Sequence, residues 1–342
     1  MMTRDALSSY LSFTRPTKIR FCTGIIPIRR DFSFFCKKGK DMSWRTIYIT
    51  ESERLGLYLD NLLIIKNGEE YKIPLKDIGS VIVEDNRTVI TLKLINKILE
   101  YNILLIFCDD KYNPIGILNS TNGYFRQSKI VNQQINWDRE LKDILWKEIV
   151  KVKLQNQNFI LKKLEKDNEV VENIEKYIQE VEKGDITNRE GLGAKIYFRE
   201  LYGATFIRGD KDVINSALNY GYTIIHSKIA RVIAGKGLLT YLGIHHKSEY
   251  NQFNLASDII EVYRPLVDYF VYIYMKHASY FSKEDRVELI NLLNAKVLQG
   301  RYMESVSNSI EKYIDMIIEF FETGVFDIEK IPSLSKFEFY EL

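Results

Sequence analysis

Short runs in which apolar and polar residues alternate fill the chain from about residue 45 to 120. TIYIT (46–50), RLGLYLDNLLIIK (54–66), EEYKIPL (69–75), GSVIVED (79–85) and TVITLKL (88–94) are rich in β-branched and aromatic residues, with turn-forming residues between them. That is the signature of strands. Asn67-Gly68 separates two of these runs, and because both residues tolerate positive φ the pair predicts a tight hairpin. A short helix is expected over 94–102, then a buried strand over ILLIFCD (103–109) and a further run, PIGILNS (114–120). Together these predict a mainly antiparallel β domain over 42–125.

From Gln127 the period changes from two to 3.6. In the segment 138–166, Leu141, Ile144, Leu145, Ile149, Val150 and Val152 fall on one helical face. VVENIEKYIQEVEKG (170–184) is a second amphipathic helix, with Gly184 as its stop. Helical patterning continues from 188 onward, interrupted by only two prolines, Pro265 and Pro332. The predicted fold class is therefore α+β: a β domain, then a larger all-α catalytic domain over 126–342.

Composition narrows the class. With 46% hydrophobic and 27% charged residues, the chain of 342 has the balance of a globular protein. Its formal net charge of +2 excludes a bulk polycation, so any surface for a polyanion must come from local clustering. The charge is unevenly spread. Residues 1–41 carry nine Lys or Arg against three Asp or Glu, leaving the remainder net acidic. This leader has no periodic apolar face, and a strand pattern restarts at Met42. It reads as a disordered or spurious extension ahead of a start at Met42, or as a basic arm for nucleic acid. Cys22, Cys36 and Cys108 make no C-x-x-C pair, which points to a reducing, cytoplasmic setting without structural zinc. No apolar run approaches the ~20 residues of a membrane span.

Histidine is scarce: His226, His245, His246 and His277. The His245-His246 pair precedes NLASDIIEVYRP, in which Asp258 and Glu261 stand three residues apart on one helical face. Imidazole and carboxylate oxygens near one another suit Mg²⁺ or Mn²⁺; a solvated acidic face beside a surface histidine is the bland alternative. Glu190, in TNREGLGAKIYFRELYG (187–203), falls in a first helical turn. Thr187 and Glu190 match a capping box; alternatively Glu190 supplies a carboxylate to the distant His/Asp/Glu segment. The small residues Gly191, Gly193 and Ala194 would let another helix approach. Between these segments, Lys228, Arg231 and Lys236 lie along one side of a predicted helix, either for phosphate contacts or as a solvated basic face.

Three of these segments carry a family resemblance. NREGLGAKIYF, NYGYTIIHSKIARVI and LGIHHKSEYNQFNLASDIIEVYRPLVD, in this order, resemble the CRISPR adaptation integrase, the metal-dependent nuclease-integrase that inserts spacers into CRISPR arrays. The GIHH…FNLASD version looks most like members from type II systems, and the likeness covers about residues 42–325. The resemblance implies Glu190, His246 and Glu261 as metal ligands and catalytic residues for Mg²⁺ or Mn²⁺. Asp258 is the near neighbour of Glu261, and His245 either supports the ligands, contacts a phosphate or simply faces solvent. Where the family reads D-L-M-E-P-F-R-P, Val262 replaces a proline while both acids remain. The reaction implied is attack by a DNA 3′-hydroxyl on a phosphodiester. The implied partners are double-stranded DNA (spacer precursor and repeat), a second copy in a homodimer formed through the β domain, and a small companion protein bridging two dimers. Arg189, Lys195, Arg199, Lys228, Arg231, Lys247 and Arg264 flank the motifs and are the candidate phosphate contacts. A non-catalytic DNA-binding scaffold with the same fold is the competing reading; a small-phosphoester hydrolase is weaker, since the chain lacks a His-Asp dipeptide and an H-x-x-x-H helix. The tail after 325 is read as a frayed end or a docking peptide.

Overall fold

The computed structural model describes Ile25–Ile26 and residues 45–112, 114–118 and 126–339. The rest of the basic leader and the expected domain boundary at 125 lie outside the described residues. In chain order the N-terminal layer comprises β1 (Ile25–Ile26), β2 (Arg45–Ile49), β3 (Arg54–Tyr58), β4 (Asn61–Lys66), β5 (Glu69–Pro74), β6 (Ile78–Val83), β7 (Val89–Ile90), α1 (Leu92–Glu100), β8 (Leu104–Cys108) and β9 (Pro114–Leu118). The hairpin expected at Asn67-Gly68 joins β4 to β5, and both residues are left-handed, with φ of 53° and 75°. Thr91 caps α1 by accepting from the Leu94 amide.

The strands form two sheets, ordered β1-β2-β6-β8-β9 and β5-β4-β3-β7. Pairing is mixed, which corrects the expectation of a mainly antiparallel domain: β1, β2, β6 and β8 run parallel. The reason lies in the connections. Between β2 and β6 the chain makes the β3–β4–β5 excursion, and between β6 and β8 it passes through α1. Such crossovers bring a strand back in the same direction, and turn residues do not announce them. Side chains alternate across the first sheet. Ile47, Ile49, Val81, Val83 and Leu105 face the second sheet and α1, whereas Tyr48, Ile82, Leu104 and Ile106 enter the helical core. Strands buried on both faces read as continuous apolar runs.

The larger part contains α2 (Gln127–Ile135), α3 (Arg139–Lys163), α4 (Asn168–Glu180), α5 (Arg189–Tyr202), α6 (Val213–Gly235), α7 (Asn254–Ile259), α8 (Arg264–Met275), α9 (Lys283–Asn291), β10 (Lys296–Gln299), β11 (Tyr302–Ser305), α10 (Val306–Thr323) and β12 (Ser333–Glu338). It is not all-α, a second correction: β10, β11 and β12 form an antiparallel sheet. β12 lies in the tail expected to fray or dock a partner. Leu334 is instead fully buried, and its amide donates to Asn156 Oδ1 at 2.8 Å. The other end of that amide, Asn156 Nδ2, donates to the Val262 carbonyl at 2.8 Å. One polar residue of α3 thus ties down both the tail strand and the 3₁₀ turn Ile260–Val262. A buried pair, Arg286 to Glu84 at 2.7 Å, fastens α9 to the end of β6.

Candidate metal and DNA site

Helix α3 is the back wall of the site. Lys142, Trp146, Ile149, Lys153 and Asn156 recur at helical spacing along one face. Asp138 caps its start, accepting from the amides of Glu140 and Leu141. Against this wall lie the start of α5, the loop Gly243–His246, and the turn that follows α7.

Glu190 reaches the wall from α5. The expected Thr187–Glu190 capping box does not form. Asn188, in the left-handed region, is the cap and accepts from the Gly191 amide at 3.2 Å, while Asp185 accepts from the amides of Arg189 and Glu190. The Glu190 carboxylate is therefore free to turn to Lys153, whose ammonium donates to its Oε1. The expected close helix approach occurs at Gly193, where a Cβ would lie 2.3 Å from Leu154 Cδ2 of α3.

Asp258 and Glu261 are not a solvated acidic face; α7 gives way to a 3₁₀ turn between them, and both are buried. Asp258 is a folding centre for the histidine loop. Its Oδ2 accepts from the amides of Ile244 (2.6 Å) and His245 (3.1 Å). Its Oδ1 accepts from the His246 amide (3.1 Å) and bonds His246 Nδ1 (2.6 Å). The loop can wrap so tightly only with glycine at 243, where a Cβ would sit 2.4 Å from the His246 carbonyl oxygen and 2.8 Å from Asp258 Oδ2. A carboxylate only accepts, so the neutral imidazole donates through Nδ1 and leaves a lone pair on Nε2. The bond to Asp258 outweighs burial and raises the His246 pKa. His245 points elsewhere: it stacks on Trp146 with ring centroids 4.3 Å apart and planes at 5°, and burial lowers its pKa.

Glu261 is 5% exposed at its side chain. Its Oε2 accepts from Lys153 Nζ at 2.5 Å, and its Oε1 from Arg264 Nε at 2.8 Å. Burial alone would raise this carboxyl; Arg264 and Lys153 overcome it and hold the pKa at about 2. Behind it, Arg264 packs over Tyr222 at 4.6 Å, and the Tyr222 hydroxyl donates to buried Asp268.

The two carboxylates thus meet on one cation, the Lys153 ammonium, near a histidine with an oriented Nε2. Among the described residues no three His, Cys, Asp or Glu side chains stand together as a ready metal cage, and Lys153 stands between the two carboxylates. The donor set itself, two carboxylates and one imidazole, is of the kind that holds a hard divalent ion. Sequence reasoning did not single out Lys153, Trp146 or Asn156. The available signal was a lysine and an asparagine interrupting the apolar stripe of α3.

The candidate phosphate contacts divide. Lys228 pairs with Glu311 at 3.0 Å and Lys236 with Asp315 at 2.5 Å. Arg231 is half-buried near Glu311. The basic side of α6 therefore faces α10, the opposite of the expected DNA face, because α10 presents acids to it. Arg189 is engaged with Glu180, and Arg264 with Glu261. Lys195, Arg199 and Lys247 remain exposed. The first two lie on the side of α5 away from Glu190 by helical spacing. Lys247 lines a groove of about 480 Å³ beside His246, together with Lys142, Tyr241, Asn251 and Asn254.

Fold and site together define a class: a mixed sheet layered on a helical body that encloses a carboxylate pair and a carboxylate-bound histidine. Solved proteins with this fold include a casposase bound to integration product (TM-score 0.67, 19% identity, covering 83% of this chain and 93% of that one). A chain of a Cas6-RT-Cas1–Cas2 complex is similar too (TM-score 0.67, 19% identity, 85% of this chain and 36% of that longer one). A family model described as CRISPR associated protein Cas1 matches residues 47–292. A Neisseria meningitidis protein named CRISPR-associated endonuclease Cas1 is 34% identical over 308 residues, 88% of this chain and 99% of that one. The chain belongs to the Cas1 family.

Proposed function

We propose that the chain is a metal-dependent DNA endonuclease and integrase that joins short duplexes into a CRISPR array by 3′-hydroxyl attack on a phosphodiester. The observation that carries this reading is the meeting of Glu190 and Glu261 on one cation with His246 oriented by Asp258 nearby. The name of the Neisseria meningitidis relative supports it. Glu190, Glu261 and His246 Nε2 would hold Mg²⁺ or Mn²⁺, which neutralises charge on the phosphate and lowers the pKa of the attacking hydroxyl.

The remaining work falls to the chain itself. Asp258 fixes the tautomer and direction of His246. Arg264 keeps Glu261 ionised despite burial. Lys247 and Lys142 flank the groove beside His246 and would bind the phosphates of the incoming strand without reading its bases. No side chain need form a covalent bond to DNA. A homodimer formed through the β domain, with a small companion protein bridging two dimers, would present two such sites.

Purified protein incubated with a short duplex and a plasmid target should produce strand-transfer products with Mn²⁺ or Mg²⁺ and none with chelator. His246→Ala should abolish them while DNA binding persists. Strand transfer by the alanine variant at the wild-type level would refute the assignment.

A further inference from the structure

Lys153 projects from the apolar face of α3, and its side chain is only 6% exposed. Its ammonium donates to Glu190 Oε1 of α5 and to Glu261 Oε2 of the 3₁₀ turn. Arg264 takes the other oxygen of Glu261. Two carboxylates, an ammonium and a guanidinium make a set with no net charge. A divalent ion drawn to the same carboxylates meets two obstacles. Lys153 already occupies their facing oxygens, and the ion would leave the pocket with two uncompensated positive charges. Uncompensated charge away from bulk water is costly. A DNA phosphate lessens both obstacles: its single negative charge offsets half of that excess, and it offers the displaced ammonium a new partner. Lysine suits this exchange, being a compact charge on a flexible stem.

We infer that Lys153 makes metal loading conditional on DNA: its ammonium competes with the divalent ion for the Glu190–Glu261 pair, and a DNA phosphate relieves that competition. The inference rests on the metal-site reading above. Lys153 is thereby a positioning residue that keeps the carboxylates together without metal and holds the site inert until DNA arrives. Because coupling between two ligands is reciprocal, DNA tightens ion binding and the ion tightens DNA binding by the same factor.

The test is Mn²⁺ titration of the full chain, with free Mn²⁺ read by electron paramagnetic resonance, with and without a duplex whose 3′ ends are dideoxy-blocked. In wild type the duplex should tighten Mn²⁺ binding about tenfold, within the usual range of site coupling. Lys153→Met should bind Mn²⁺ about tenfold more tightly than wild type without DNA and gain little from the duplex. Lys153→Arg, which keeps the charge, should bind as weakly as wild type. Equal or weaker Mn²⁺ binding by Lys153→Met overturns the inference. If Lys153→Met does not fold, Lys153→Gln replaces it, and absence of coupling in wild type alone is sufficient to overturn it. A different outcome, Mn²⁺ binding unaffected by His246→Ala, sinks the metal-site reading instead.

Discussion

Asp258 organises the histidine loop, and replacing it by asparagine isolates that role. Asp258→Asn keeps the volume of a fully buried side chain but turns one acceptor oxygen into an N–H₂ donor. Each carboxylate oxygen takes two donors: Ile244 and His245 amides on Oδ2, the His246 amide and ring on Oδ1. With the N–H₂ at the Oδ2 position two amide N–H groups face a donor; at the Oδ1 position the His246 amide does, and the ring must change tautomer to accept from it. Hydrogen bonds to a charged acceptor contribute about 1.5–3 kcal/mol each, so the loss of at least one costs about 1.5 kcal/mol at the lower bound. Each orphaned amide adds to that. His246 also loses the partner that fixes its tautomer, an outer-shell change that lowers metal affinity about 10–100-fold. Urea denaturation followed by tryptophan emission reports the first effect, since Trp146 stacks on His245 in this loop. Mn²⁺ titration of the folded variant reports the second. An unchanged unfolding midpoint together with unchanged Mn²⁺ affinity would show that the loop is held by something other than Asp258.

Gly243→Ala should cost about 2 kcal/mol and reduce strand transfer, because the added methyl meets the His246 carbonyl; denaturation and the integration assay check it. Burial raises the Asp268 carboxyl from 3.8 to about 7, so the folded state keeps a proton that the unfolded chain releases. Its contribution to stability is full below pH 3.8 and is lost as pH rises through about 7. Thermal denaturation between pH 5 and 8 should show wild-type stability falling and Asp268→Asn holding flatter; parallel profiles would contradict this. Lys247→Ala should weaken DNA binding and lower the slope of log affinity against log salt by about 1. Lys228→Ala should leave that slope unchanged, since Lys228 is spent on Glu311; fluorescence anisotropy over a salt series distinguishes the two.

What the sequence determined by itself was local. Alternation and turn chemistry define the strands and the Asn67-Gly68 hairpin, and the 3.6 period defines α3 and α4. Both depend on contacts within a few residues. The order of layers followed from the order of these patterns. Glu190, His246 and Glu261 stood out because histidine is rare and the motifs are ordered, yet nothing local brings Glu190 to Glu261. Gly193 packed on Leu154 and Asn156 anchored on Val262 do that. Strand direction was settled by how the layers assemble, because crossover connections carry no turn signal. Only that assembly could turn the basic side of α6 onto Glu311 and Asp315 of α10, since a helix face is solvated or buried according to its neighbour. It alone also set Lys153 between the two carboxylates. A lysine in an apolar stripe has no meaning until residues 37 and 108 positions further along the chain arrive beside it.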